Sequence, residues 1–229
     1  MTLLLLETAT QVCSVSLTRD GEVLASVRSD ESNAHSSKLA VFINEVMERS
    51  SLEMKDIDAV CVSSGPGSYT GLRIGVSSAK GLCYALDIPL LSVPTLQNMA
   101  NLFFVQNPDY DGLVCPMIDA RRMECYTALF SREEQIRDTV AEVVEQGIYD
   151  SFMDRGLVTF IGDGAEKTKP ILAQHPNACY ADDFQIDASG MATIAMEKLK
   201  KGEVEDVAYF EPFYLKDFVA KKSVVHGLR

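Results

Sequence analysis

The glycine-rich stretch 63–75 holds the residues whose types and spacing come closest to a phosphate-binding loop. An apolar run at 57–62 precedes it and predicts a buried strand, and an apolar run at 72–86 predicts a helix after it. Glycine amides and the positive end of a helix both attract phosphate. Its first three glycines form GxGxxxG, which misses the dinucleotide fingerprint by one residue, and no Walker A lysine follows. A tight turn with glycines at positive φ is therefore the simpler interpretation.

The predicted helix over 72–86 carries one apolar stripe whose members recur at steps of three and four. They are Leu72, Val76, Ala79, Cys83 and Leu86. Small residues such as Gly75 and Gly81 keep the rest of the helix thin, although an interior glycine costs about 1 kcal/mol relative to alanine. Close approach of another helix would offset that cost. Whether that neighbour belongs to a partner molecule or to the same subunit stays open at this point.

Composition limits the classes of function. The 229 residues carry a net charge of −12, so direct capture of nucleic acid by this chain alone is not expected. The C-terminal stretch is the locally basic part, with Lys216, Lys221, Lys222 and Arg229. The six cysteines are scattered without a CxxC pair, which is typical of reduced thiols in a cytoplasmic protein. We expect no secretion signal and no membrane span.

The order of predicted elements repeats. Each half opens with a three-strand meander and continues with helices and parallel strands, which predicts a duplicated α/β fold with two lobes. The expected lobes are 1–104 and 105–204, and the segment at about 205–229 is expected to pack back on the first. A predicted helix at 35–50 belongs to the first lobe.

Five segments of this sequence resemble the TsaB (YeaZ) family, whose members are partner subunits in the biosynthesis of threonylcarbamoyladenosine (t6A) in tRNA. They are LLETAT at 5–10, HSSKL at 35–39, SGPGSYTGLRIG at 64–75, DARRMECY at 119–126 and PFYLK at 212–216. The twelve residues at 64–75 are the most specific. Glu7 departs from the family, which more often has Asp there.

The resemblance implies a fold of the actin, Hsp70 and sugar-kinase type, also called ASKHA or ribonuclease H-like. In such folds two hairpin turns face the phosphates of a nucleotide and a further loop faces the adenosine. The corresponding residues here are Glu7, Thr8 and Thr10, then Asp119 and Arg121, then Gly162, Asp163 and Gly164. ATP or ADP is the cofactor that these positions would hold in the assembled complex.

The histidines separate this chain from TsaD, the catalytic relative. TsaD binds its metal through a His-x-x-x-His pair and an aspartate, because two imidazoles four apart share one helix face. Here His35, His175 and His226 lie far apart in sequence. We therefore expect no metal ligands, no catalytic residues and neither carbamoyl transfer nor zinc proteolysis by this chain.

The resemblance thus implies a non-catalytic partner of a TsaD-type carbamoyltransferase, with a TsaE-type ATPase in the assembly and a homodimer when the chain is alone. Pairing is expected through the helices at 35–50 and 72–86, and tRNA is reached only through the complex. The predicted interface residues are Leu39, Phe42, Val46, Leu72, Gly75, Val76, Ala79 and Cys83. The alternative is a nucleotide-binding or ATP-hydrolysing enzyme of the same fold, in which Glu7 or Asp119 orients Mg²⁺ or water.

Overall fold

The computed structural model describes residues 1–31 and 35–216, and its first half is built on a five-stranded mixed sheet. The strands are β1 (Thr2–Glu7), β2 (Cys13–Arg19), β3 (Glu22–Ser29), β4 (Ala59–Ser63) and β5 (Leu90–Val93). Their order is β3-β2-β1-β4-β5. The first three form an antiparallel meander, and β4 and β5 run parallel to β1.

A second sheet repeats the first in both order and direction. Its strands are β6 (Leu113–Asp119), β7 (Glu124–Phe130), β8 (Gln135–Val143), β9 (Val158–Ile161) and β10 (Ala178–Tyr180). The order β10-β9-β6-β7-β8 again places a meander on one side and two parallel strands on the other. The predicted duplication of a two-lobed α/β unit is therefore confirmed.

Six α-helices cover the sheets within the described residues. They are α1 (His35–Ser50), α2 (Tyr69–Leu86), α3 (Thr95–Gln106), α4 (Asp150–Met153), α5 (Lys169–Leu172) and α6 (Ala192–Lys201). Short 3-10 helices lie at Met54–Asp56, Glu166–Thr168 and Ala188–Met191. Helices α4 and α5 span only four residues each. Ser68 caps α2 by accepting a hydrogen bond from the Gly71 amide.

Helices α3 and α6 cross between the lobes. The buried side chains of α3 pack on β6 and β7 of the second sheet, whereas those of α6 pack on the first. Asn101 joins the two regions, because its Nδ2 donates to the Gly190 carbonyl at 2.6 Å and to the Thr193 hydroxyl at 3.1 Å. The predicted lobe boundaries at 104 and 204 therefore describe the order of elements along the chain. The packing of α3 and α6 crosses those boundaries.

Residues 205–216, here called the strap, contain a turn at 207–209 and run from the first lobe to the second. Glu205 pairs with Leu90 of β5, and Lys80 of α2 donates to two strap carbonyls. The Phe213 amide donates to the Ser64 carbonyl at 2.7 Å, and Lys216 forms an ion pair with Glu124 of β7. The remainder of the predicted segment, including Lys221, Lys222, His226 and Arg229, lies outside the described residues.

Candidate functional site

Glu7 lies at the end of β1 and is fully buried. One carboxylate oxygen accepts hydrogen bonds from the Ala9 amide at 2.7 Å and the Ser63 hydroxyl at 2.8 Å. The other accepts from Nδ2 of Asn98 at 2.7 Å. Ser63 is adjacent because β1 and β4 are parallel neighbours and end at the same edge, and α3 supplies Asn98. The carboxylate therefore joins the first sheet to the helix that packs on the second.

Burial raises the pKa of Glu7 from 4.5 to about 7. Desolvation is the largest cause, and the three hydrogen bonds oppose it. The Asp187 carboxylate adds a smaller upward contribution. The other amide atom of Asn98, Oδ1, is buried and has no hydrogen-bond partner among the described residues. The side chain of Glu7 is thus held inside the protein rather than presented to a ligand.

The rest of the first turn is also bound internally. Thr8 is fully buried, and its hydroxyl donates to the Gly71 carbonyl of α2 at 2.8 Å. Thr10 accepts a hydrogen bond from the Val12 amide at 3.2 Å, which closes a local turn. A Cβ atom at Gly75 would overlap the Thr8 hydroxyl, so this glycine allows α2 to approach β1 of its own subunit. The small residues of α2 therefore have an intramolecular neighbour here.

The second turn, between β6 and β7, is held by a lysine. Lys167 donates to the Asp119 carboxylate at 2.5 Å and to the Glu124 carbonyl at 2.7 Å. Partial burial raises the pKa of Asp119, but Lys167 and the Arg121 amide outweigh it and leave the pKa below its ordinary value. Arg121 and Arg122 are exposed and both take positive φ, 75° and 52°. Asp119 therefore already has a cationic partner within the chain.

The third predicted segment, Gly162–Asp163–Gly164, packs on the end of β6. Asp163 accepts a hydrogen bond from the Asp119 amide at 3.0 Å, and Gly164 donates to the Met117 carbonyl at 3.0 Å. Gly162 has a φ of +98°, and a Cβ there would overlap the Met117 carbonyl and the Met99 side chain. Although Asp163 keeps an exposed surface, desolvation of its carboxyl raises its pKa. These glycines serve close packing between β9 and β6.

The structure brings the predicted turns to one region of the molecule. Val12, two residues after Thr10, packs in the same apolar cluster as Ile118, which precedes Asp119. Within the described residues, no three His, Cys, Asp or Glu side chains lie close enough together to hold a metal ion. The side chains of Glu7 and Thr8 are fully buried, so neither is open to a phosphate in this structure.

All eight predicted interface residues are buried within this chain, which corrects their assignment. They are Leu39, Phe42, Val46, Leu72, Gly75, Val76, Ala79 and Cys83. Six of the eight pack in one apolar cluster with β1, β2 and β4. An apolar stripe on a surface helix faces the nearest sheet first, and that sheet belongs to the same subunit.

The opposite sides of α1 and α2 are exposed and lie next to one another. Tyr84 of α2 is 85% exposed and Val41 of α1 is 57% exposed. Gly81 lies on the exposed side of α2, and a Cβ there would meet no atom within 4 Å. We refer to this surface as the α1–α2 face.

Several residues that shape the region were not predicted. Asn98 lies on the apolar side of α3, and a polar residue at such a position was the available signal. Asp187 accepts hydrogen bonds from the hydroxyls of Ser14, Ser16 and Ser26 across a separation of more than 160 residues in sequence. Lys167 gives no sequence signal, because its role depends on the contact between β9 and β6.

Comparison with known proteins agrees with this architecture. Residues 22–224 match the family model described as TsaD, tRNA N6-adenosine threonylcarbamoyltransferase. The tRNA threonylcarbamoyladenosine biosynthesis protein TsaB of Bacillus subtilis (strain 168) is 30% identical over 172 residues, which cover 75% of this chain and 69% of that protein. The chain belongs to the TsaB family. The Escherichia coli (strain K12) TsaB protein is 29% identical over 231 residues, covering 98% of each chain.

Solved structures with the same fold include a YeaZ protein, an activator with bound ADPNP and a hexokinase. YeaZ from Pseudomonas aeruginosa matches with a TM-score of 0.80 and 24% identity, covering 93% of this chain and 99% of that one. The activator of 2-hydroxyisocaproyl-CoA dehydratase from Clostridium difficile, with bound ADPNP, matches with a TM-score of 0.53 and 11% identity, covering 89% and 97%. A ROK hexokinase from Thermus thermophilus reaches 0.51 at 11% identity, covering 88% and 100%. The predicted actin-like, sugar-kinase-like fold is confirmed.

No helix in the described part of the chain has both the length and the apolar character needed to cross a bilayer.

Proposed function

We propose that this TsaB-family chain is a non-catalytic partner of a TsaD-type carbamoyltransferase in t6A modification of tRNA. Pairing uses the α1–α2 face, with a TsaE-type ATPase in the assembly and a second copy of this chain when the catalytic subunit is absent. The proposal is supported by family membership and by the family model, which describes a threonylcarbamoyltransferase.

The observation that carries the non-catalytic part is the internal bonding of the first turn. A nucleotide-dependent enzyme of this fold needs a carboxylate and hydroxyls that reach magnesium, water or phosphate. Glu7 and Thr8 are fully buried and are hydrogen-bonded to Ser63, Asn98 and the α2 backbone. Asp119 of the second turn is already paired with Lys167. These contacts disfavour the alternative, an ATP-hydrolysing enzyme of the same fold.

The pairing part is supported by the exposed composition of the α1–α2 face. Tyr84 and Val41 supply apolar area at the surface, and Ser77, Gly81 and Ala85 are small enough to let another backbone approach. An aromatic side chain surrounded by small residues suits a helix–helix contact, because interface energy is concentrated in a few large anchors. A stable contact of this kind buries about 1,600 Å² in total.

Two glycine variants test the pairing surface. Gly81→Arg adds a long charged side chain on the α1–α2 face without an internal clash, because the Cβ position is open. Gly156→Arg is the matched control, since its Cβ position is also open and it lies in the loop before β9. We expect Gly81→Arg to abolish co-purification with the cognate TsaD-type subunit, whereas Gly156→Arg leaves it intact.

Circular dichroism and thermal melting of both variants establish that each monomer is folded. Pairing that survives Gly81→Arg would show that the partner binds elsewhere. A separate titration of the purified chain with ATP and Mg²⁺ addresses catalysis, because turnover by the lone chain contradicts a non-catalytic role. Gly75 is unsuitable for either purpose, since a side chain there overlaps Thr8 and disturbs the monomer.

A further inference from the structure

The turn 119–124, here called the arginine turn, closes the β6–β7 hairpin and carries two arginines at its tip. Arg121 and Arg122 are consecutive non-glycine residues at positive φ, where glycine and asparagine are favoured. Both side chains are exposed, and neither guanidinium forms a hydrogen bond or ion pair with residues 1–31 or 35–216. Tight hairpin turns take positive φ at their central residues and usually place glycine, asparagine or aspartate there, so the backbone of this turn does not call for arginine. A contact made by the two guanidinium groups would account for the choice of arginine.

Contacts with other parts of the chain hold both ends of the arginine turn. Lys167 binds both its beginning and its end, through Asp119 and the Glu124 carbonyl, and Asp163 accepts a hydrogen bond from the Asp119 amide. The strap is attached at the same point by the ion pair between Lys216 and Glu124. Both arginines are therefore displayed from a fixed backbone, which lowers the entropy lost when a ligand binds.

The strap links the arginine turn to a cluster of aromatic and guanidinium side chains. The rings of Tyr69 and Tyr214 lie 5.0 Å apart, and the Arg73 guanidinium lies 4.4 Å above the Tyr69 ring. Arg73 also donates from Nε to the Tyr214 hydroxyl at 3.3 Å. Tyr214 is two residues from Lys216, whose ion pair with Glu124 attaches the strap to the end of the arginine turn. Aromatic and guanidinium planes beside phosphate-binding cations are typical of RNA-contacting surfaces.

We propose that the arginine turn and the Tyr69–Arg73–Tyr214 cluster contact the sugar–phosphate backbone of tRNA in the modification complex. The inference rests on the proposed function, and it assigns part of the tRNA contact to this chain. Its cations lie on two separate elements, α2 and the arginine turn, which suits a polymer better than a single nucleotide. In sequence, the chain continues from Lys216 with Lys221, Lys222 and Arg229 against the single acid Asp217.

The test measures tRNA affinity of the complex with its TsaD-type subunit at several salt concentrations, by fluorescence anisotropy with labelled, unmodified tRNA. The double variant Arg121→Asn/Arg122→Gly removes both charges and introduces residues that accept positive φ. We expect roughly tenfold weaker binding at low salt, and a slope of log affinity against log salt that is smaller by about 1.5. The variant's thermal midpoint is expected to rise because strain is removed.

The control Arg28→Ala/Arg155→Ala removes the same charge from exposed positions on β3 and after α4. We expect it to keep the wild-type slope. An unchanged slope in the arginine-turn variant overturns the inference while leaving the proposed function intact. Loss of pairing with the catalytic subunit would instead assign this surface to an acidic protein partner, and competition by micromolar ATP would assign it to a free nucleotide. Both outcomes contradict tRNA contact, whereas a wild-type chain that does not affect t6A formation refutes the proposed function itself.

Discussion

Replacing Glu7 with glutamine removes a buried ionisable group with little change in shape. The carboxylate oxygen that accepts from Ala9 and Ser63 has an amide counterpart in Gln. The new Nε2 group faces Asn98, whose unpartnered Oδ1 can accept from it after a rotation of the Asn98 amide. The fold should therefore survive Glu7→Gln, and its main effect should be on the pH dependence of stability.

The expected size of that effect comes from the pKa of Glu7. The folded-state pKa of about 7 exceeds the unfolded value of 4.5, so protonated Glu7 makes its full contribution to the unfolding free energy below pH 4.5. This contribution is lost as the pH rises from 4.5 through 7. At about 1.4 kcal/mol for each pH unit, the loss amounts to about 3 kcal/mol of unfolding free energy. The loss should be absent from Glu7→Gln.

Urea unfolding followed by circular dichroism, from about pH 4 to about pH 8, measures this difference. The free energy of the wild type relative to Glu7→Gln should fall by about 3 kcal/mol across the window. Glu133→Gln, at an exposed position, is the matched control for removal of one charge and should run parallel to the wild type. If the curve for Glu7→Gln also runs parallel to the wild type, Glu7 is not desolvated and the account of the first turn is wrong.

Three further predictions concern packing, a partly buried ion pair and the thiols. Gly75→Ala places a methyl group against Thr8 and should lower the free energy of unfolding by about 1–3 kcal/mol. Gly81→Ala, at an open position in the same helix, should raise it by roughly 1 kcal/mol, and urea midpoints check both values. Glu142→Gln weakens the ion pair with Arg137 and should destabilise the protein at neutral pH. Because the pKa of Glu142 is lowered in the folded state, the difference in unfolding free energy between variant and wild type should shrink in acid. Urea unfolding curves of variant and wild type that coincide at pH 7 would refute this. The five buried thiols, whose pKa values are raised by burial, should resist alkylation until the chain unfolds, as mass spectrometry can show.

The sequence allowed the elements and their duplication to be predicted, because alternation and helical periodicity are local signals. The helices predicted at 35–50 and 72–86 and the strand predicted at 57–62 lie close to α1, α2 and β4. The crossing of α3 and α6 could not be predicted in the same way. Each helix has an apolar stripe, but the sheet that buries it is chosen by contacts far apart in sequence.

The candidate site shows more clearly that local sequence patterns do not predict contacts between distant parts of the chain. The apolar stripe with Val76 and Ala79 was correctly identified, but periodicity cannot say whether a stripe meets a partner or the sheet of its own subunit. The two glycines of α2 also differ in their surroundings. Gly75 lets the helix pack closely on Thr8, whereas Gly81 is open to solvent. Glu7 was predicted to face phosphate from resemblance alone, whereas its burial depends on Asn98, ninety-one residues away.

Reconstituted t6A formation tests the central claim most directly. The reaction would contain unmodified tRNA, threonylcarbamoyl donor, the cognate TsaD-type and TsaE-type subunits, and this chain as wild type, Gly81→Arg or Gly156→Arg. We predict efficient modification with the wild type and Gly156→Arg, and loss of modification with Gly81→Arg or without this chain. Full modification in the absence of this chain, or with Gly81→Arg, would contradict a partner role exerted through the α1–α2 face.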